Sequence, residues 1–426
     1  MRALYISHMG MTEPLGQSQV LPYLVGLARE GHEIEILSFE ATGTKPEAIE
    51  ALRARLEDEG MRYRPLVRSA SHHLAAKVWE SALGFGRALE LALRKKPEVV
   101  HARSYLPAAV ADMVATLSPK AKLLFDCRGM LGDEYVEGGH WTTDRLEYKL
   151  LKRFKSRLFR RTDGIVVLTR ALERWLRDHD KLGRHTRVQV IPCCVDMNRF
   201  KPDEAARAKV RAELGVEDRL VVVYSGSLGH WYGEREMARI VGAMKRRDPR
   251  VFFLLLSRLD TTKFREALRA EGVGDADFAT RAVAPADMPR TLTAGDVGLS
   301  LIEPCFSKTG SSPTKVAEYL AAGMPVVVNR GVGDQGDLAD SPGACAVIDS
   351  LADADVDRGA ELALPLARRP YAERSAETHE VARSHFSLTD IGVPRYAALY
   401  DALRPTSRDG STTGKEPRHG FTRVSV

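Results

Sequence analysis

Short runs of aliphatic and β-branched residues recur along this chain in two series, each run followed by a loop and a longer stretch of helical period. Strands that alternate with helices in this way pair in parallel and are covered on both faces, so the pattern predicts an α/β fold and excludes all-helical and antiparallel sandwich folds. The first series reads as strands at Arg2–Ser7, Glu33–Phe39, Pro97–Arg103, Ala121–Cys127, Gly164–Leu168 and Val188–Pro192. A loop is expected over Met9–Ser18, and helices over Gln19–Glu30, Pro46–Glu59 and Ala75–Lys95. The second series has strands at Leu220–Ser225, Val251–Leu256, Val297–Leu301 and Pro325–Asn329, with helices at Glu234–Arg246 and Thr314–Ala322 among them.

At 426 residues the chain exceeds one ordinary core, and two series predict two domains. The expected division is 1–195, 196–385, a helical segment 386–404 and a tail 405–426. Ser, Thr, Gly and charged residues predominate in that tail, so disorder is expected there. Five scattered cysteines without CxxC spacing argue against disulfides and zinc. The chain enters a strand at once, and its apolar runs fall short of the roughly 18 residues that span a bilayer, so a cytoplasmic protein is expected. Nucleic acid is not an expected partner, because no recognised module and no basic-aromatic alternation occurs. The net charge of +6 is unevenly placed: RLEYKLLKRFKSRLFRR (Arg145–Arg161) carries eight cations beside a stripe of Leu146, Leu150, Phe154 and Leu158. That pattern fits a helix on an anionic membrane surface at the inner face of the membrane, and equally a solvated helix with its stripe on the core.

The most chemical segment is LIEPCFSKTGSSPTKVAEYLAAGMPVVVNR (Leu301–Arg330). Ser311-Ser312-Pro313-Thr314-Lys315 opens directly into a helix, whose free N–H groups and positive dipole end suit a diphosphate, with Lys315 as an added charge. Ordinary helix capping would use the same residue types. Glu318, one turn on, is placed to hold a sugar or ribose diol. This segment resembles the donor-binding loop and helix of the glycosyltransferase family 4 group, whose members have two Rossmann-like domains facing an interdomain cleft, the GT-B arrangement.

The resemblance extends to about Leu403. MGMTEPLGQSQVLPYLVGLAREGHEIEILSFE is similar to the family's first strand, glycine loop and helix, which puts Gly16 and Gln17, with Ser18, in the cleft beside the donor phosphates or the acceptor, the first two as donor contacts. VVVYSGSLGHWYG is similar to the loop opening the donor domain and puts Gly226, Ser227 and Gly229 there; the Arg and Lys common after this strand are replaced by Ser227 and His230-Trp231-Tyr232. Lys308, Lys315 and Arg258 are then the candidates for neutralising the diphosphate, with Ser312 and Thr314 as further phosphate contacts. The family's Glu-x7-Glu pair is half present: Glu318 is its second member, and Gly310 stands at the first. LLFDCRGMLGDEYVEGGHW puts Asp126, Arg128, Asp133 and Glu134 at the mouth of the first domain, for acceptor-side catalysis or as an internal ion pair of Asp126 with Arg128. His101 and Arg103 end the preceding strand, His101 as a cleft residue or a core histidine. VIPCCVDMNRF is similar to the interdomain hinge, and Val393–Leu403 to the C-terminal crossover helix.

The resemblance implies transfer of a hexose from a nucleoside diphosphate sugar to a hydroxyl of a sugar, polysaccharide or lipid-linked acceptor, with retention, and without a metal or cofactor. Its rivals are a sugar-nucleotide epimerase of the same form and a degenerate, non-catalytic assembly partner.

Overall fold

The structure, a computed structural model, describes residues 1–69, 74–229 and 231–404. His230 and the tail expected from residue 405 lie outside the described residues. Strands β1 (Arg2–Ser7), β2 (Glu33–Glu40), β3 (Arg62–Val67), β4 (Val99–Arg103), β5 (Lys122–Asp126), β6 (Gly164–Val167) and β7 (Arg187–Val190) form one sheet in the order β3-β2-β1-β4-β5-β6-β7. Strands β8 (Leu220–Ser225), β9 (Val251–Leu256), β10 (Phe278–Arg281), β11 (Val297–Ser300), β12 (Val326–Asn329) and β13 (Cys345–Ile348) form a second, in the order β10-β9-β8-β11-β12-β13. Every pairing is parallel.

Three strands lie outside the sequence expectation: β3, β10 and β13. Each is an edge strand. β3 carries Pro65 and two arginines, and β10 is mostly exposed. A half-solvated edge strand such as these two needs no continuous apolar run, so its sequence carries little signal; β13, by contrast, is apolar and almost wholly buried.

The helices of the first domain are α1 (Pro14–Gln19), α2 (Leu21–Arg29), α3 (Pro46–Asp58), α4 (Leu74–Lys95), α5 (Tyr105–Leu117), α6 (Leu131–Glu137), α7 (Leu146–Arg161) and α8 (Arg170–Asp178). The second contributes α9 (Glu204–Leu214), α10 (Glu234–Arg247), α11 (Thr262–Ala270), α12 (Met288–Leu292), α13 (Thr314–Ala321), α14 (Asp353–Arg368) and α15 (Tyr371–Phe386), and α16 (Val393–Ala402) follows. Side chains of successive strand residues go to opposite faces, so each sheet has two cores. Tyr5, Ile36 and Val99 meet α2 and α16 on one face, while Leu4, Leu37 and Val100 meet α4 and α5 on the other.

The chain passes between the sheets twice, at Cys193–Val195 and at Phe386–Leu388, and the passages are bonded: Val195 N–H donates to Phe386 (2.8 Å) and Leu388 N–H to Val195 (3.0 Å). α16 returns to the first domain, burying Tyr396, Leu399 and Tyr400 there.

Candidate active site

β8 runs out of its sheet into Gly226 (φ +131°) and Gly229 (φ +114°), backbone conformations that a side chain disfavours. A Cβ on Gly226 would sit 3.2 Å from Lys315 Nζ. The glycine thus leaves room for the lysine, which rises from the first turn of α13. Lys315 is buried at 7% exposure, and its ammonium nitrogen has no hydrogen-bond partner. It lies 4.0 Å from the ring centroid of Tyr224 and 4.5 Å from that of Tyr232. Burial pulls its pKa down to about 7, against the opposing charge of Glu318. Burial likewise pushes Glu318 up to about 7, opposed by Lys315 and Arg199. No side chain caps α13, so its leading N–H groups have no acceptor within the helix. The arrangement sets free helix N–H donors and a dipole end beside a buried lysine that has no hydrogen-bond partner and has Glu318 as its opposing charge.

The other expected donor contacts are dispersed. Ser227 and Gly229 are exposed on the β8 loop beside Gly226, and Thr314 is half-buried at the start of α13. Ser312 Oγ accepts from Cys193 N–H (3.1 Å), tying the loop before α13 to the hinge. Lys308 Nζ lies 4.1 Å from the Trp231 ring centroid and donates to Glu134 Oε1 of the other domain (3.5 Å). Arg258 is exposed and donates to the Val283 carbonyl (3.1 Å), at the end of β9. The expected loop over Met9–Ser18 is helical from Pro14 onward, as α1, and a Cβ on Gly16 would lie 2.3 Å from the Gly10 carbonyl. Gln17 donates to Met11 and accepts from Arg55. Both pack the turn. Glu40 anchors that turn, its buried carboxylate accepting from the N–H groups of Met11 (2.6 Å) and Thr12 (3.1 Å), and no sequence pattern marks it.

On the first domain the charged group separates into two. Asp126 is 1% exposed between Arg103 (3.0 Å) and Arg128 (3.5 Å). Burial would raise its pKa, but the charges of Arg128 and Arg103 outweigh that and hold it below the usual carboxylate range. The internal ion pair is therefore the observed arrangement, widened to a triad. Arg128 also donates to Cys193 Sγ (3.4 Å). His101 is a core histidine: it is 1% exposed, bonds through Nδ1 to Tyr400 (2.9 Å), and burial lowers its pKa to about 4. Asp133 turns away from this group to accept from Lys155 (2.6 Å), Lys152 and Tyr148 (both 3.2 Å), pinning α6 to α7. Glu134, at 32% side-chain exposure, remains at the domain boundary through Lys308. Beside it Glu137 receives Ser307 N–H at 3.1 and 3.2 Å, a contact that sequence spacing does not signal.

Gly310 has a steric reason. A Cβ there would sit 2.9 Å from Leu172 Cδ2 of the opposite domain.

Residues 16–194 match the family model of the glycosyl transferase 4-like domain. The GDP-mannose-dependent alpha-(1-6)-phosphatidylinositol monomannoside mannosyltransferase of Mycobacterium tuberculosis is 25% identical over 279 residues, covering 61% of this chain and 69% of that protein. Its Mycolicibacterium smegmatis counterpart is 26% identical over 157 residues, 35% of this chain and only 40% of that relative's length. Among solved structures, a glycosyltransferase from Rickettsia africae superposes with a TM-score of 0.71 at 14% identity, over 95% of this chain and 99% of that one. Anabaena HepE in complex with UDP gives 0.67 at 14% identity, over 94% and 100%. The chain carries a glycosyl transferase 4-like domain in its N-terminal half and has the GT-B fold throughout its two sheets.

Proposed function

We propose that the protein is a glycosyltransferase that transfers a hexosyl group from a nucleoside diphosphate sugar to an acceptor hydroxyl, with retention and without a metal. One observation carries this reading: a buried lysine without a hydrogen-bond partner, at the uncapped start of α13, beside a glycine that leaves the approach open. A departing diphosphate develops negative charge, and fixed N–H donors with the Lys315 ammonium stabilise it without reorganising. Glu318 is assigned to the donor ribose. Glu134 is the acceptor-side carboxylate, since Asp126 and Asp133 are buried in their ion pairs whereas Glu134, held by Lys308 at 3.5 Å, keeps 32% side-chain exposure. The relatives named for GDP-mannose and a phosphatidylinositol mannoside support a lipid-linked acceptor, as does α7, where Leu146 and Leu150 are exposed at 67% and 53%. We place the protein at an anionic inner membrane face on that basis; no helix among the described residues is long and apolar enough to cross a membrane.

Gly310, closed against Leu172, favours the second reading of a nucleotide-binding protein without turnover. Thermal-shift measurements with UDP, GDP, ADP and their sugar conjugates test the donor site, because binding to the folded state raises its apparent stability. A selective rise followed by sugar release to an acceptor supports transfer. A rise without turnover supports the second reading, and no rise at millimolar concentrations removes the donor site.

A further inference from the structure

α8 follows β6, the strand next to the edge of the first sheet, and its N-terminus faces the second domain. Its own cap is Thr169, whose Oγ1 accepts from Leu172 N–H (3.1 Å) and donates to the Thr309 carbonyl of the second domain (2.7 Å). The two leading N–H groups of α8 are satisfied from the second domain as well. Asp334 accepts from Arg170 N–H through Oδ2 (2.7 Å) and from Ala171 N–H through Oδ1 (3.0 Å). The Arg170 side chain in turn donates to Asp337 (2.7 Å). A helix start in one domain is thus capped by a carboxylate of the other. Such a cap holds only while the domains are together.

The cap bears on the loop that builds the anion site. The turn carrying Asp334 packs on that loop: Gly333 N–H donates to Lys308 (2.8 Å), and a Cβ on Gly333 (φ +49°) would lie 2.1 Å from the Ser311 carbonyl and 2.7 Å from Thr169 Cγ2. Residues 307–312 are also gripped from the first domain by Glu137 on Ser307, Glu134 on Lys308, Thr169 on Thr309 and Cys193 on Ser312.

We propose that Asp334 is a positioning residue, an interdomain latch that caps α8 and thereby holds the loop leading into α13 in its anion-binding shape. It rests on the donor-site reading for its effect on ligand, but not for its effect on domain closure. Asp334 also neutralises the positive end of α8, which would otherwise stand in the cleft as a rival phosphate site.

The test compares the full-length protein with its Asp334→Ala and Asp334→Asn variants, using small-angle X-ray scattering without ligand and calorimetric titration with UDP and GDP. Asp334→Ala is expected to increase the radius of gyration and weaken the bound nucleotide about fivefold, the scale of a lost helix cap. Asp334→Asn, which keeps a side-chain oxygen acceptor, is expected to restore part of both. Thr169→Val removes the neighbouring bond and is expected to open the protein in the same direction, which covers an Asp334→Ala chain that does not fold. Unchanged scattering in both Asp334→Ala and Thr169→Val overturns the latch, and opening with unchanged nucleotide affinity overturns its hold on the loop leading into α13. If the wild type binds neither nucleotide yet the variants open, the donor reading fails while the latch stands.

Discussion

Lys315 combines two properties that ordinarily exclude each other, deep burial and an ammonium without a hydrogen-bond partner, with Glu318 as its opposing charge. A lysine whose pKa lies at about 7 is half neutral at pH 7, and a bound diphosphate restores its charge. Nucleotide binding above pH 7 is therefore expected to take up a proton, with affinity falling by up to about tenfold per pH unit. Calorimetry in buffers of different ionisation enthalpy measures this uptake. Lys315→Arg should reduce it, because a guanidinium stays protonated, leaving only what Glu318 takes up. Asp126 behaves in the opposite sense. Its depressed pKa contributes stability that is present above its ordinary value near 3.8 and is lost as the pH falls through the lower folded value. Asp126→Asn leaves two buried arginines without their counterion, and a loss of about 3 kcal/mol in urea denaturation is expected. Lys315 and Glu318 are legible in the sequence because a Ser/Pro/Thr loop opening a helix has a physical meaning at short range. Tyr224 and Tyr232, which enclose the lysine, are not. Their meeting depends on how the β8 loop folds back over α13, and no local spacing encodes that.

The helices show the same division between local and distant information. α7 follows the sequence expectation in extent, but its cations divide by face. Lys155 and Lys152 turn inward to Asp133, whereas Lys149 and Arg153 are exposed beside Leu146 and Leu150. Charge reversal at Lys149 and Arg153 is therefore expected to reduce sedimentation with anionic liposomes severalfold, at about 1 kcal/mol per charge near the surface, with stability little changed. Phe154 and Leu158 pack on the core, so the expected apolar stripe belongs half to the interior and half to the surface. The central strands are legible because burial on both faces forces unbroken apolar runs, whereas the edges β3 and β10 escape for want of that constraint. Glu137 and Asp334 are equally hidden. Each is an ordinary surface acid until the other domain is brought against it.

At the scale of the molecule, the two domains share more than a hinge. Four residues on three segments of the first domain hold the loop before α13, and α16, last in sequence of the described helices, lies in the core of the first sheet. Tyr400 is fully buried there, against His32 and His101. Tyr400→Ala should cost about 3–4 kcal/mol through the cavity and the lost His101 bond. Hydrogen exchange is the deciding measurement, since the lost protection is expected in β1 and β4 and not in the second sheet. The position of α16 also has a consequence for synthesis. The first sheet is translated early, yet the helix that covers Tyr5 and His101 begins 388 residues after the first and 292 after the second. The N-terminal half must wait on the ribosome with that face uncovered while the whole second domain is built, and its folding is completed only when the chain returns.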